Sequence, residues 1–476
     1  MTGARESRIL HAVFGPAVFL ILIALPLPGV PYPVRGSLGL LVWMSWWWIF
    51  QPVHLAVTGF LPLGVLAVFN FLPVTDILPA YSQQLVILLL GANMLAVLWN
   101  RWGLDRRIAL ISLLGIGTRT RRQILAWFVV ATVLSTFLPN TVVAAAMMPI
   151  VVAMLRFIGI EDVGKSAFGS ALLIAVAWGT SVGGAGTPLG GAPNLLTVQF
   201  LQDQLIDHEF LFTTWLTHLL PLTVLTAIAG FVFVRFAFRP ETAEVEGTRE
   251  YFDRELGALG AMSGPERWGL ALFTGATLLA FTRQLYAPAL PGLTPAFAFL
   301  ACAIAGFVIR HRGEPLLTWD YAQPRMVWGL IYLFAGGSAL GQILSRTGTA
   351  QFLAERLIPL AAGGGFFAIV VFVLLTVILT QITSNTAAVA IVVPITISTF
   401  QSLGQNPIPM VYIVAAAGNY GLMLPSSSGG PAIAAGYGVN LKTMFGSGLK
   451  LTACVLTTLV AGGWLLATFW PGFGVA

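Results

Sequence analysis

The sequence predicts an all-α polytopic membrane protein, with about eleven transmembrane helices and two re-entrant hairpins arranged as an inverted repeat. Three observations carry that expectation. Of 476 residues, 57% are hydrophobic and only 9% charged, whereas soluble domains carry about 25% charged residues. The apolar residues gather into segments of membrane-spanning length. A stretch of nearly sixty residues recurs, without a gap, 245 positions later. A soluble enzyme, a nucleic-acid binder and a disulfide-stapled secreted protein are excluded.

Taken in order, Arg5 and Arg8 precede the apolar run 11–30. It reads as a first span because no small-residue cleavage pattern follows it. Segments 37–53, 54–73 and 84–100 come next, with Trp43, Trp46, Trp47 and Trp48 placed as an interfacial belt. Segments 121–156 and 365–402 are too long for one crossing, since a helix of that length reaches ~54 Å against a hydrocarbon core of ~30 Å. Each is expected to be two half-length helices meeting at a polar tip, 135–141 and 381–386. Segments 166–203 and 408–440 are interrupted by Gly and Pro at 179–194 and 421–430. Spans at 212–238, 267–283, 293–310, 326–345 and 445–470 complete the set. The chain then divides into scaffold spans 1–83, a first repeat 84–238, a cytoplasmic linker 239–266, scaffold spans 267–325 and a second repeat 326–476.

With both hairpins entering and leaving on one side and the N-terminus inside, 20 of the 24 Lys and Arg residues face the cytoplasm. That asymmetry places the N-terminus in the cytoplasm and the C-terminus outside. The net charge of +6 is thus a mark of topology, not of a polyanionic partner. Cys302 and Cys454 read as small core residues, and His218 as a satisfied core or interfacial histidine.

The repeat aligns Gly91–Gly103 with Gly336–Gly348, Asn140-Thr141 with Asn385-Thr386, and Pro149 with Pro394. Five crossings separate the copies, so they lie upside down relative to each other. Inverted repeats with helices broken at corresponding places point to the midplane site of a secondary transporter. Irregular backbone survives in a bilayer only inside protein or beside a water-filled cavity. Carbonyls at an ending half-helix can ligate a cation, and N–H groups at a starting one favour an anion. Asn140, Thr141, Ser384, Asn385 and Thr386 add short polar side chains, while glycines at 183, 184, 186, 190, 191, 429 and 430 let backbone approach a ligand. The Asn-Thr pairs could also serve as interhelical hydrogen-bond glue and the glycines as packing residues; recurrence at matching positions favours a site. All 18 carboxylates fall in loops or at span ends. The lack of an intramembrane relay favours sodium coupling, or simple exchange, over proton coupling.

These residues resemble the divalent-anion/sodium symporter family, which includes sodium-coupled dicarboxylate, citrate and sulfate carriers. The family carries Ser-Asn-Thr at both hairpin tips; here the second copy is Ser384-Asn385-Thr386 and the first is Pro139-Asn140-Thr141. The resemblance implies one transported sodium held by Ser135, the Pro139 backbone, Asn140 and Gly190. It implies a second held by Thr380, Thr383, Asn385 and Ser427. The anion would lie among Asn140, Thr141, Gly190, Ser384, Asn385, Thr386 and Ser428. The second break departs from the family, reading Ser427-Ser428-Gly429-Gly430-Pro431 where dicarboxylate carriers typically show Ala-Thr-Pro-Pro-Asn. The implied protein is a homodimeric, elevator-type symporter of a small anion in the cell membrane. Sodium is its co-substrate and C4-dicarboxylate the favoured anion. A sodium-independent exchanger, a sulfate carrier, a channel and a sensor are the competing readings. No nucleophile–base pair near the breaks suggests an enzyme.

Overall fold

The computed structural model describes residues 2–113, 117–361 and 365–475; the side chains of Arg5 and Arg8, used above for topology, lie outside the described residues. Helices form nearly all its regular structure, the exception being a two-stranded ribbon, Arg310–His311 with Glu314–Pro315. Among the described residues, eight helices are long and apolar enough to cross a membrane, and four shorter apolar helices accompany them. The all-α polytopic expectation therefore holds.

The repeat is expressed in the backbone. Helices Thr120–Phe137 and Asn140–Phe157 form a first tip pair, and Gly365–Ile382 and Asn385–Ser402 a second. Every boundary of the second pair lies 245 residues beyond its counterpart. Backbone in the left-handed region recurs at the same offset, at Gly103 (φ 72°) and Gly348 (φ 74°), and at Gly159 (φ 87°) and Gly404 (φ 67°). A side chain would be strained at each of these turns, so glycine fits both copies.

Both tips end a helix by local chemistry. Leu138 is extended (φ −116°, ψ 146°) ahead of Pro139 (φ −52°, ψ 131°), as the clash of a proline ring with the preceding residue requires. At the second tip Ser384 caps the next helix, its hydroxyl accepting from the Ala387 N–H at 3.2 Å. Pro139 has no hydroxyl; at the first tip the Asn140 carboxamide instead accepts from the Thr141 N–H at 2.8 Å.

The first broken helix comprises Ala167–Gly184 and Ala192–Gln204, and the second Ile408–Ala417 and Gly429–Gly436. The second break opens at Gly418, three residues before the sequence placed it. The carbonyls of Gly418, Asn419 and Tyr420 are claimed by Thr380, Asn385 and Gln381 at 3.0, 3.0 and 2.6 Å. The Leu422 and Met423 N–H groups, which a continuing helix would turn back on Gly418 and Asn419, go instead to Gln381 Oε1 at 2.9 and 3.0 Å.

Four other expectations change. Gly183 is a packing residue: a Cβ there would overlap the Thr132 carbonyl, and one on Gly179 would sit 2.5 Å from the Phe128 carbonyl. These two glycines, four apart, bring helix Ala167–Gly184 against Thr120–Phe137 as small-xxx-small pairs do. Gly186 likewise packs, against Thr136. Cys454 is exposed, so it is not a core residue. Trp48 is fully buried in the core, and Trp47 donates to the Ala12 carbonyl at 3.2 Å and so helps seat the first helix, so the four rings do not all form a belt. His218 has backbone partners as expected: its ring nitrogens lie 2.7 and 2.8 Å from the Thr214 and Gly472 carbonyls, and the one N–H of a neutral ring donates to one of them.

The linker is pinned by an ion pair the sequence did not reveal. Arg107 contacts Glu266 at 2.5 Å and donates to the Gly260 and Leu259 carbonyls at 2.9 and 3.1 Å. Both side chains are at least nine-tenths buried. Removing one member of such a pair costs about 3–5 kcal/mol, because the other charge stays buried. Arg107→Ala is expected to lower the melting temperature of the detergent-solubilised protein sharply, and the double change Arg107→Met, Glu266→Leu to recover most of the loss. Equal melting of the single variant and the parent would contradict this.

Candidate functional site

The two tips meet at one cavity of about 280 Å³. Pro139, Asn140 and Thr141 enter it from the first tip, and Ser384, Asn385 and Thr386 from the second. Ala192 and Pro193 reach it from the restart of the first broken helix, and Ser427, Ser428 and Gly429 from that of the second. The starts of four helices, at Asn140, Ala192, Asn385 and Gly429, thus face the same space. Their positive dipole ends favour negative charge. Leu55, Leu89, Leu330 and Leu333 add apolar lining from other helices, with the polar Gln51 beside Leu55. Among the described residues, no charged side chain lines the cavity.

Gly429 is fixed here by space: a Cβ would overlap the Thr141 hydroxyl. Ser428, beside it, approaches the Ser181 hydroxyl at 3.2 Å and the Gly421 carbonyl at 3.3 Å. Asn140 and Asn385 play matching backbone roles, donating their N–H groups to the Gly190 carbonyl at 3.1 Å and the Ser427 carbonyl at 3.2 Å. Each tip is thereby laced to the break behind it.

Ser135, Gly190, Thr380 and Thr383 lie behind the cavity wall, not on it. Near Thr380 the oxygens outnumber the protons. Its hydroxyl is 2.6 Å from Asn385 Oδ1 and 3.0 Å from the Gly418 carbonyl, yet it carries one hydrogen for two acceptors. Thr383 Oγ1, buried nearby in sequence, has no partner. At the first break, the Ser135 and Gly184 carbonyls both converge on Gly190, within 2.7 Å of where a Cβ would stand. The Ser135 hydroxyl is already used, donating to the Thr180 carbonyl at 2.8 Å. Clusters of carbonyl and hydroxyl oxygens with too few protons suit a hard cation.

A second cavity, of about 270 Å³, shares Thr141 with the first and includes Asn100, Asp105 and Arg325. Asp105 is thus the one carboxylate among the described residues that lines a cavity touching a tip residue, closer than the sequence suggested.

Comparison with known proteins decides the family. Residues 6–472 match the family described as the sodium:sulfate symporter transmembrane region. The chain belongs to this divalent-anion/sodium symporter family. It is accordingly a multi-pass membrane transporter coupling sodium to an anion, not an enzyme, and sodium is a transported co-substrate. The chain is 26% identical over 473 residues to the sodium-dependent dicarboxylate transporter SdcS of Staphylococcus saprophyticus, covering 95% of this chain and 91% of that one. It is also 26% identical to the SdcS of Staphylococcus aureus strain NCTC 8325, covering 95% and 90%. The fold is similar to that of the YdaH transporter of Alcanivorax borkumensis, with a TM-score of 0.55, 14% identity and coverage of 93% of this chain and 99% of that one.

The sequence did not single out Gln381, Asn194 and Asn419, which lace the tips and breaks together outside the cavity lining. Gln381 donates to the Tyr420 carbonyl at 2.6 Å and accepts from the Leu422 and Met423 N–H groups at 2.9 and 3.0 Å. Its place within the polar tip was the available signal. Asn194 donates to the Gly184 and Thr187 carbonyls at 2.6 and 2.7 Å, and accepts from Asn419 at 2.7 Å.

The geometry at Pro139 gives a direct expectation. Pro139 occupies the N-cap position with extended backbone that serine also adopts, so Pro139→Ser is expected to fold and to restore a cap worth about 1 kcal/mol. Uptake persists, with a changed sodium midpoint or anion preference. Loss of folded protein on gel filtration would mean that the proline is itself a structural requirement.

Proposed function

We propose that this symporter carries a C4-dicarboxylate together with sodium by an elevator-type motion. The convergence of four helix starts on a cavity without lysine or arginine carries the reading. Backbone dipoles attract the carboxylates, but nothing fixed in the cavity neutralises two negative charges. Co-bound sodium, held by the oxygen clusters behind the cavity, supplies the missing charge. Anion affinity then depends on sodium, which is what coupling requires. Ser135, Pro139, Asn140 and Gly190 form the first sodium site in this reading, and Thr380, Thr383, Asn385 and Ser427 the second. Asn140, Thr141, Ser384, Asn385, Thr386 and Ser428 hold the anion, with Gly190 supporting the first tip. The four leucines of the lining suit a carbon chain better than an inorganic oxyanion, which would make no use of them. The names of the SdcS relatives agree with a dicarboxylate.

In the elevator scheme the tip pairs and broken helices move as one body against the remaining spans of a homodimer. The N-terminus is cytoplasmic, the C-terminus is outside, and both tip pairs are re-entrant. Arg121 and Arg156 are exposed at the two ends of the first pair. Single cysteines at these positions, in a background lacking Cys302 and Cys454, are expected to react with an impermeant maleimide from the cytoplasmic face alone. Labelling from opposite faces would make the pair a through-span.

Thermal melting of the purified protein with succinate, malate, citrate, sulfate or phosphate, in sodium or choline chloride, tests the substrate. A ligand that binds the folded state raises the melting temperature by mass action. Succinate or malate should do so only with sodium; stabilisation by sulfate alone would redirect the assignment.

A further inference from the structure

Asn419 lies in the second break, yet its side chain reaches the first. Asn194 spends both amide hydrogens on the Gly184 and Thr187 carbonyls, so its own Oδ1 can only accept. It accepts from Asn419 Nδ2 at 2.7 Å, and the same nitrogen donates to the Ala415 carbonyl at 2.9 Å. Turning the Asn419 amide over would set its oxygen against two acceptors, so the network fixes the orientation. The fixed Oδ1 is left over: Asn419 is fully buried and this oxygen has no partner.

The orphan oxygen faces the gap left where Gly191 has no side chain: it stands 3.0 Å from the point a Cβ would occupy, with Pro193 Cδ 3.4 Å and the Gly184 carbonyl 3.5 Å from the same point. Gly191 is extended (φ −154°, ψ 143°), a conformation any residue adopts, so the missing side chain matters for space and not for backbone freedom. The unpartnered Asn419 amide oxygen and the Gly184 carbonyl, which already accepts from Asn194, suit a hard monovalent cation and offer nothing to an anion.

The same residue also touches the second site. The Asn419 carbonyl accepts from Asn385 Nδ2 at 3.0 Å, and the adjacent Gly418 carbonyl from the Thr380 hydroxyl at 3.0 Å. One residue therefore presents a side-chain oxygen to the first break and a main-chain oxygen to the second tip.

We propose that Asn419 supplies a sodium ligand to the first break from the second repeat, and so couples occupancy of the two sodium sites. This rests on the sodium reading above. Sodium at one site holds Asn419 in place for the other, and binding is cooperative.

The test is sodium titration of the thermal stabilisation of the purified protein, with choline chloride holding ionic strength constant. Asn419→Ala is expected to raise the sodium midpoint by on the order of tenfold or more, the range for losing a group that supports a metal site, and to flatten the curve to that of independent sites. Gly191→Ala places a methyl group in the gap while leaving the amide network whole, and should raise the midpoint as well. It serves also if Asn419→Ala does not fold. A wild-type sodium titration retained in Gly191→Ala, or in a folded Asn419→Ala, overturns the role of Asn419 alone. A wild-type protein indifferent to sodium overturns the underlying sodium reading, and the proposal with it.

Discussion

Asn385→Ala is expected to lower uptake by about two orders of magnitude. The change strands the Asn419 carbonyl, its partner at 3.0 Å, and takes away one of the two oxygens around the Thr380 hydroxyl, which keeps the Gly418 carbonyl at 3.0 Å. Each unmade buried hydrogen bond costs about 1–3 kcal/mol, and each 1.4 kcal/mol is tenfold in affinity. Asn385→Asp separates the roles of ion and anion. A carboxylate at the first residue of a helix favours the helix dipole and keeps an oxygen facing Thr380, while its other oxygen loses the bond that Nδ2 donated to the Asn419 carbonyl; the dipole offsets part of that loss, and the variant should fold. It also sets a negative charge where the anion must sit. Sodium should still stabilise it in a melt, while added dicarboxylate no longer does and uptake falls to background. Near-parental uptake by both variants would place the anion elsewhere.

The largest structural effect is expected at Gly183. Its missing Cβ is the space in which the Thr132 carbonyl lies, and backbone cannot step aside as a flexible side chain can. Gly183→Val should destabilise by roughly 3 kcal/mol or more, at or beyond the upper end for overpacking, and yield aggregated protein. Gly446→Ala is the control: that glycine lies within helix Leu441–Phe469 and a Cβ there meets nothing within 4 Å. Losing a helical glycine should stabilise by up to about 1 kcal/mol. Equal yields and melting temperatures for the two variants would refute this packing argument.

What the sequence made legible follows from what is local. Each tip is a short polar interruption in a run too long to cross once, and the 245-residue offset carried the helix ends, Asn140 with Asn385, to the second copy. Leu138 was readable because proline constrains its neighbour. The start of the second break was not, because Gly418–Tyr420 follow an unbroken apolar run, and the helix stops where Gln381 of the second tip takes the Leu422 and Met423 N–H groups. Asn194 and Asn419 were illegible as a pair, since 225 residues separate them and no periodicity links them. Gly183 looked like a ligand-approach residue because a glycine at a break and a glycine at a helix contact are the same letter. The Arg107–Glu266 pair joins positions 159 residues apart, which no local pattern marks.

The central claim is that the cavity holds a dicarboxylate only when sodium completes its charge. The most direct measurement is uptake of radiolabelled succinate into proteoliposomes, comparing an inward sodium gradient with equal sodium on both sides and with choline replacing sodium. Transient accumulation above equilibrium under the gradient, equilibration without accumulation at equal sodium, and background counts in choline are the predicted results. Saturable succinate uptake at full rate in choline would contradict the account.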